Sequence, residues 1–278
     1  VVAATQLTLR ERVALKFLLV RDESADDFAA RFKREAQVSA KLRSEHVARV
    51  IDVGTWGGRA MFMVMEFLAG TDLRKVLRAQ GPMPVETAVG YIIQVCEGMA
   101  EAHAQGVVHR DLKPSNLFLT KRPDGSDLVK ILDFGISKWS QTDDEVGELT
   151  RTGVVLGSPK YVAPEQVFGA QVVDSRADIW SLGAILYELL AGRPPFDFPT
   201  FARVCAELAS GKPPPSILER RPDVSPEVEA VVLRCLERDV SQRIQNVADL
   251  AGDLLAAIGS PLASAMRARL YAILDTKS

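Results

Sequence analysis

The sequence has little cysteine and no excess of charge of either sign. Its three cysteines, Cys96, Cys205 and Cys235, lie far apart, without CxxC spacing, in helix-like apolar stretches. That pattern is typical of reduced, buried thiols and favours a cytoplasmic compartment over a disulfide framework. The formal net charge of −2 provides neither a basic field for nucleic acid nor an acidic tail. Partners must therefore be recognised at local sites.

Long apolar runs are also lacking. No stretch reaches the roughly 18 to 20 apolar residues that span a bilayer, and no signal-type segment opens the chain. The first residue is Val1 rather than Met, so any membrane anchor of a parent protein is expected outside the printed sequence. With 278 residues and 47% hydrophobic content, the chain can bury a large core in one domain or two lobes.

The hydrophobic pattern changes character near Ala69-Gly70. Before that point we predict strands and one helix, over about residues 24–42. In the strand VALKFL, alternation places Lys16 between apolar residues on one face, and helical spacing turns Glu35 into an apolar stripe. After that point helices dominate. They are predicted near residues 72–79, 84–105, 175–191, 199–210, 225–237, 247–258 and 261–274.

The strongest chemical signal is HRDLKPSN at residues 109–116, followed by DFG at 133–135. The Asp-Gly pair between them predicts a hairpin, and Asn116 and Asp133 lie equally far from its centre. We therefore expect these two side chains together, as hard oxygen ligands suited to Mg²⁺. Asp111 can then accept a proton from a substrate hydroxyl, with Lys113 near enough to neutralise a phosphoryl group.

These motifs resemble those of eukaryotic-type (Hanks-type) serine/threonine protein kinases, in particular the bacterial ones. Further motifs occur in the family's order: VALK with Lys16, Glu35, APE at 163–165, DIWSLG at 178–183, and Arg243. The resemblance implies an α+β, bilobal protein kinase-like fold, with a small antiparallel-sheet N-lobe carrying one helix and a larger, mainly helical C-lobe. The implied kinase domain covers residues 1–258, with N-lobe and hinge at 1–68, C-lobe at 69–258, and a helical tail at 259–278.

The resemblance also implies roles for single residues. Asp111 would be the catalytic base and Lys113 the cation beside the phosphate. Lys16 would hold the α and β phosphates and pair with Glu35, while Asn116 and Asp133 would hold the metal. The implied cofactors are ATP and Mg²⁺, with Mn²⁺ as an alternative. The adenosine contacts would come from Ala14, Met65, Glu66, Leu68, Asp72 and Phe118, although Met65 and Phe118 also fit an ordinary core.

The segment from Asp133 to Glu165 resembles the family's activation segment. Thr150 and Thr152 are candidate phosphorylation sites, with plain loop threonines as the alternative, and Arg110 would receive the phosphate. Ser158 stands where the family usually has threonine. The resemblance gives structural roles to other residues. These are His109 beside DFG, a Glu165–Arg243 ion pair, and Asp178 binding the catalytic-loop backbone.

The resemblance implies ATP-dependent phosphorylation of serine and threonine hydroxyls on protein substrates, in signal transduction. A homodimer for trans-autophosphorylation is an expected partner, and nucleic acid is not. A pseudokinase or nucleotide-binding scaffold is the alternative, and a small-molecule phosphotransferase is a third reading.

In the family a glycine-rich loop precedes the strand lysine, and here only fifteen residues precede Lys16. We therefore expect the first strand and that loop to be absent, which leaves VVAATQL as an edge strand.

Overall fold

The structure is a computed structural model of the chain. It describes residues 1–19, 36–37, 39–56, 60–134, 159–169 and 173–276. Glu35, Thr150, Thr152 and Ser158, to which the sequence analysis gave roles, lie outside the described residues.

A four-stranded antiparallel sheet forms the N-terminal lobe. Its strands are β1 (Val2–Gln6), β2 (Glu11–Leu19), β3 (Val50–Trp56) and β4 (Ala60–Glu66), in the order β1-β2-β4-β3. The strand β1 lies at an edge, as predicted for VVAATQL. In the β2–β4 register Ala14 pairs with Met65 and Lys16 with Met63. Paired residues share a sheet face, so Lys16 and Ala14 point to the same side as Met65.

A second, three-stranded sheet carries the predicted hairpin. It is made of β5 (Thr71–Asp72), β6 (Leu117–Lys121) and β7 (Asp127–Ile131), in that order. The predicted register was one residue off. Leu117 pairs with Ile131, so Asn116 lies opposite Leu132, whose amide donates to the Asn116 carbonyl at 2.8 Å. The turn is closed by one backbone bond, from the Arg122 amide to the Ser126 carbonyl, which leaves three residues in the loop and centres it on residue 124.

Helices make up most of the C-terminal lobe, close to the predicted bounds. They are α1 (Leu73–Gln80), α2 (Val85–Ala104), α3 (Pro164–Val167), α4 (Arg176–Ala191), α5 (Phe201–Ala209), α6 (Pro226–Cys235), α7 (Val247–Ala257) and α8 (Ala263–Leu274). Residues 36–37 and 39–41 are also helical. Helix α6 begins as its sequence predicts, because the Ser225 hydroxyl accepts a bond from the Val228 amide and Pro226 takes the first helical position.

The core of this lobe surrounds α2 and α4, which are buried along most of their length. Trp180 is fully buried and stacks on Phe196 at 5.7 Å between ring centroids. Helix α8 packs against α7 and α2 and buries Leu270 completely. The three cysteines are free thiols, as predicted, and burial raises the pKa of Cys96 and Cys235. Within the described ranges, no helix is both long and apolar enough to cross a membrane.

The two lobes are joined through β7. The segment before β3 lies beside this strand: the Ala48 amide donates to the Ile131 carbonyl at 2.9 Å, and the Ile131 amide to the His46 carbonyl at 2.7 Å. On the neighbouring position Lys130 forms an ion pair with Glu66, the last residue of β4, at 2.6 Å. Backbone bonds therefore join β7 to the segment before β3, and a side-chain ion pair joins it to the end of β4.

Candidate active site

The loop that carries Asp111 is held from below by Asp178, on the first turn of α4. One Asp178 oxygen accepts from the Arg110 amide at 2.8 Å, and the other accepts from the His109 amide and from His103 Nε2, each at 2.9 Å. Burial opposes the charge of this fully buried carboxylate, but the bonds from His103 and His109 leave its pKa below the usual value. The predicted contact of Asp178 with the loop backbone is confirmed.

These bonds stabilise an unusual backbone conformation. Arg110 has φ of 62°, in the left-handed region that side chains other than glycine rarely occupy. Such a residue persists where its surroundings determine it, and functional loops often contain one. Here the strained residue immediately precedes Asp111, so the bond from its amide to Asp178 also fixes where Asp111 points.

His109 has the structural position that the resemblance implied. It is fully buried, and its ring lies 4.9 Å from the ring of Phe134. Its Nε2 lies 3.0 Å from the Leu132 carbonyl, which can only accept, while Nδ1 accepts from the Asp111 amide at 3.2 Å. Both contacts require the neutral ring with the proton on Nε2. Burial lowers the pKa of His109, in agreement with a neutral ring.

Asp111 lies among the polar side chains predicted to surround it. Lys113 Nζ donates to its Oδ2 at 2.6 Å. Asn116 Nδ2 donates to the Asp111 carbonyl at 2.9 Å. Because the amide nitrogen of Asn116 is turned toward Asp111, its Oδ1 faces away from that residue. The loop therefore brings a carboxylate, an ammonium group and an amide together within hydrogen-bonding distance.

Asp133 connects this loop with the N-terminal lobe. Lys16 Nζ lies 2.8 Å from Asp133 Oδ1, which spans 117 residues of sequence. Asp133 is also a non-glycine residue with positive φ, at 53°. The predicted Lys16–Glu35 pair cannot be described, because Glu35 lies outside the described residues. Within the described residues, Lys16 contacts the predicted metal ligand Asp133.

A cavity of about 200 Å³ opens between the lobes beside this pair. Six predicted residues line it: Ala14, Met65, Glu66, Leu68, Phe118 and Asp133. The lining is largely apolar with two acidic residues, and one of them, Asp133, lies beside Lys16. Such a chamber fits a flat, apolar base with a charged tail. Both Met65 and Phe118 face the cavity, so neither is simply a core residue.

Asp72 does not line this cavity. It caps the N-terminus of α1, where Oδ1 accepts from the Lys75 amide at 3.0 Å and Oδ2 lies 3.1 Å from Lys75 Nζ. Its predicted contact with a ribose stays a prediction.

The hinge just before Asp72 approaches β6 closely. A Cβ on Gly70 would lie 2.0 Å from the Leu119 carbonyl oxygen, so glycine is required there.

The predicted Glu165–Arg243 ion pair joins the APE motif at residues 163–165 to the end of the C-terminal lobe that contains Arg243. The two guanidinium nitrogens lie 2.6 and 3.0 Å from the two carboxylate oxygens. Arg243 is 1% exposed and donates further to the Arg176 and Glu237 carbonyls. Each of the three guanidinium nitrogens thus donates at least one bond, which offsets the cost of burying the charge.

Comparison with known proteins agrees with this geometry. The protein kinase domain family matches residues 1–253. The chain belongs to the protein kinase family. The kinase pkn3 of Myxococcus xanthus is 38% identical over 242 residues, which are 86% of this chain and 44% of that protein. The kinase PknB of Mycolicibacterium smegmatis is 37% identical over 91% of this chain and 40% of that protein. Both are named serine/threonine-protein kinases.

Solved structures agree as well. The PknI kinase domain of Mycobacterium tuberculosis, crystallised as a double mutant, matches with a TM-score of 0.70 and 26% identity, over 92% of this chain and 88% of that one. The predicted fold, a bilobal kinase of the bacterial Hanks type, is therefore confirmed. The chain spans less than half the length of the curated relatives described above.

Protein kinases use ATP with a divalent metal, and the donors present in this kinase fit that group. Asn116 offers an amide oxygen and Asp133 a carboxylate, two hard ligands of the kind that Mg²⁺ takes together with water and phosphate oxygens. Within the described part of the chain, no cluster of three or more His, Cys, Asp or Glu could hold a metal by itself. The donor set therefore suits a metal that arrives with phosphate.

Arg110 is the residue that the resemblance assigned to binding the phosphate of the activation segment. Its Nη2 donates to the Val173 carbonyl at 2.9 Å, and burial lowers the pKa of its guanidinium, against the opposing effect of Asp178. Thr150 and Thr152 lie outside the described residues, so the predicted pairing of phosphate with Arg110 stays a prediction.

Sequence reasoning missed several residues of the kinase site. Ala48 and Leu132 line the cavity between the lobes with Val1, Val2 and Ala3. Leu132 immediately precedes Asp133, and a hairpin signal could have found it. Ala48 carried no signal, because its position depends on a backbone contact with Ile131 across 83 residues.

Proposed function

We propose that the chain transfers the γ-phosphoryl group of ATP to serine and threonine hydroxyls of protein substrates, in signal transduction. The observation that carries the proposal is the linked set Lys16–Asp133 and Lys113–Asp111–Asn116 beside the cavity. The names of the curated relatives favour protein substrates over small molecules. A nucleotide-binding scaffold without turnover predicts the loss of one of these polar groups, and the chain retains all of them.

In the proposed reaction the substrate hydroxyl oxygen attacks the γ-phosphorus. A new P–O bond forms, the bond to the β–γ bridging oxygen breaks, and ADP leaves. Asp111 positions the hydroxyl and accepts its proton, and Lys113 offsets the negative charge on the transferred group. Lys16 binds the phosphate tail. Positioning supplies most of the acceleration in such a transfer, which fits a loop fixed by Asp178.

We propose Asn116 and Asp133 as the ligands of a divalent cation, Mg²⁺ in preference to Mn²⁺. When bound, the cation neutralises phosphate charge. The base would lie between Ala14 and Phe118, against Met65 and the hinge residues Glu66 and Leu68. The lysine–carboxylate bond between Lys16 and Asp133 keeps both groups near the position of the phosphates.

Asp111→Asn tests this function. We expect phosphotransfer to a protein substrate to fall by on the order of 10² to 10⁴-fold, because the amide cannot accept the proton. Binding of Mg-ATP should change little, since Asp111 contacts the hydroxyl rather than the phosphate tail. Radiolabel transfer and nucleotide binding measure the two effects. The control is Asp239→Asn, which changes an exposed carboxylate that accepts bonds from the nearby Ser241. Near-normal turnover of Asp111→Asn would contradict the assignment.

We also propose that Thr150 and Thr152 are autophosphorylated in trans, within a transient homodimer, and that the phosphate pairs with Arg110. A phosphate adds about −1.5 to −2 charges and forms charge-assisted bonds with a guanidinium. Mass spectrometry after incubation with ATP should find phosphate on one or both threonines. Phosphate on other residues only would count against the proposal.

The free cysteines support a cytoplasmic location for the domain, and any anchor of a parent protein would lie outside this chain.

A further inference from the structure

A second cavity, of about 690 Å³, opens beside the catalytic loop. It shares no lining residue with the cavity between the lobes. Its wall contains five cationic side chains and two anionic ones. The cations are Arg74, Arg78, Lys113, Lys160 and Arg193, and the anions are Glu188 and Asp197. The chain as a whole is slightly acidic, so this concentration of positive charge is local.

The two acids of the cavity already have partners. The Tyr161 hydroxyl donates to Glu188 at 2.6 Å, and Lys160 forms an ion pair with Asp197. Among the residues that the structure describes, no carboxylate lies within ion-pair distance of Arg74, Arg78 or Arg193. Arg74 acts electrostatically on Glu188, but five cations face only two acids, so the wall of the cavity keeps a surplus of positive charge.

Arg74 and Arg78 are four residues apart on α1 and both are exposed. Like charges at this spacing destabilise a helix slightly, and the helix dipole favours only Arg78, which lies in the last turn, so helix stability does not account for Arg74. A guanidinium pair is, however, well suited to bind carboxylates, and a cleft lined by one sign of charge attracts the opposite sign.

Lys113 connects this cavity with the chemistry. Its side chain lines the cavity and also donates to Asp111 at 2.6 Å. A peptide that presents a hydroxyl to Asp111 therefore has its neighbouring residues at the mouth of the cavity, since an extended chain advances only about 3.3 Å per residue.

We propose that this basic cavity selects protein substrates with acidic side chains a few residues N-terminal to the phosphorylated hydroxyl. The inference rests on the proposed function and names its substrate class. We assign the acidic residues to the N-terminal side of the hydroxyl because the chain's own candidate site has them there. Within the seven residues before Thr150, the sequence DDEVGELT contains four acids: Asp143, Asp144, Glu145 and Glu148. A second copy of this chain is thus itself a substrate of the required charge.

Three labelled peptides test the proposal by fluorescence anisotropy with the 278-residue chain. The first is DDEVGELTRAGVVL, which is the chain's own segment with Thr152→Ala. The second replaces its four acids by the matching amides, and the third moves them to the C-terminal side of the threonine. An exposed ion pair changes a binding constant by roughly 1.4-fold to 5-fold, so two arginines predict an approximately twofold to thirtyfold preference for the first peptide. Salt at about 0.5 M should reduce it.

The double variant Arg74→Gln/Arg78→Gln should lose this preference and bind the amide peptide as before. Glutamine is a good helix former, so α1 is retained. Lys212→Gln/Arg220→Gln removes the same charge from exposed positions that do not line the cavity and should keep the preference. Equal binding of the first two peptides, an equal loss for both in the arginine variant, or equal binding of the third peptide would overturn the proposal. Turnover, measured in parallel, reports on the proposed function separately, because binding is readable without it.

Discussion

Replacing Asp178 with asparagine should disrupt the active site without touching any group that contacts substrate. The carboxylate accepts three bonds, two on one oxygen and one on the other. Asparagine keeps the shape but has one oxygen and one NH₂ group. If the oxygen takes the position that bonds His103 and His109, the NH₂ group faces the Arg110 amide at 2.8 Å, donor against donor. The Arg110 amide then loses its acceptor.

The magnitude follows from these bonds. A hydrogen bond to a charged, buried group contributes about 1.5–3 kcal/mol, and a buried donor left without a partner costs about 1–3 kcal/mol. Since the two effects overlap at one amide, we expect a loss of about 2–4 kcal/mol in the free energy of unfolding, or about 5–15 °C in Tm at this chain length. Relaxation of Arg110 from its left-handed conformation would move Asp111, and a displacement near 1 Å costs about 10²-fold in kcat.

The assay compares thermal unfolding, kcat and the KM for ATP in wild type, Asp178→Asn and Asp174→Asn. Asp174 lies near the same end of α4 and pairs with Arg176 at 2.6 Å, but its side chain is 41% exposed, so its variant should lose at most about 1 kcal/mol. The KM for ATP should change less than kcat, because Asp178 supports the loop rather than the nucleotide cavity. Unchanged kcat in a destabilised Asp178→Asn protein would refute the claim that Asp178 positions Asp111.

Two further predictions concern stability. Arg243→Lys should lower the free energy of unfolding by about 2–4 kcal/mol, because lysine cannot make the two-pronged contact with Glu165, whereas Arg234→Lys at an exposed pair should cost less than about 1 kcal/mol; chemical denaturation measures both. Burial lowers the pKa of His46 in the folded state. As the pH falls through the ordinary histidine pKa of about 6.5, the unfolded chain therefore binds a proton that the folded chain does not. The free energy of unfolding decreases as the pH falls through this range, by at most ~1.4 kcal/mol per pH unit. His46→Asn, whose amide can still donate to the Val129 carbonyl, should flatten that dependence in urea titrations between pH 7.5 and 5.5, and an unchanged slope would contradict it.

Much of the fold could be predicted because its signals are local. Ser225 and Pro226 predict the start of α6, and the Asp-Gly pair at 124–125 predicts the β6–β7 turn. Both signals act through residues that are neighbours in sequence. The hairpin register was missed by one residue because loop length, which decides between an odd and an even centre, depends on the backbone bonds of the turn rather than on residue type.

The candidate site was predictable as a set of residues, since its motifs resemble those of a known family in order. Its supports were less so. The bond from Ala48 to Ile131 and the pair of Lys130 with Glu66 join segments that are distant in sequence and carry no distinctive composition. The left-handed conformation of Arg110 was likewise not predictable, because it is stabilised by Asp178 and not by a glycine at that position.

Both the amide and the carbonyl of Ile131 are hydrogen-bonded to the segment before β3, and this has a mechanical consequence. If one lobe rotates against the other while the two hydrogen bonds of Ile131 to His46 and Ala48 are kept, the axis of rotation must pass close to this residue. Displacement grows with distance from the axis. Asp133, two residues along the chain, would therefore stay nearly stationary, while the edge strand β1 would sweep the widest arc. Such a rotation would change how far the cleft opens and keep the proposed metal ligand Asp133 in register with the catalytic loop.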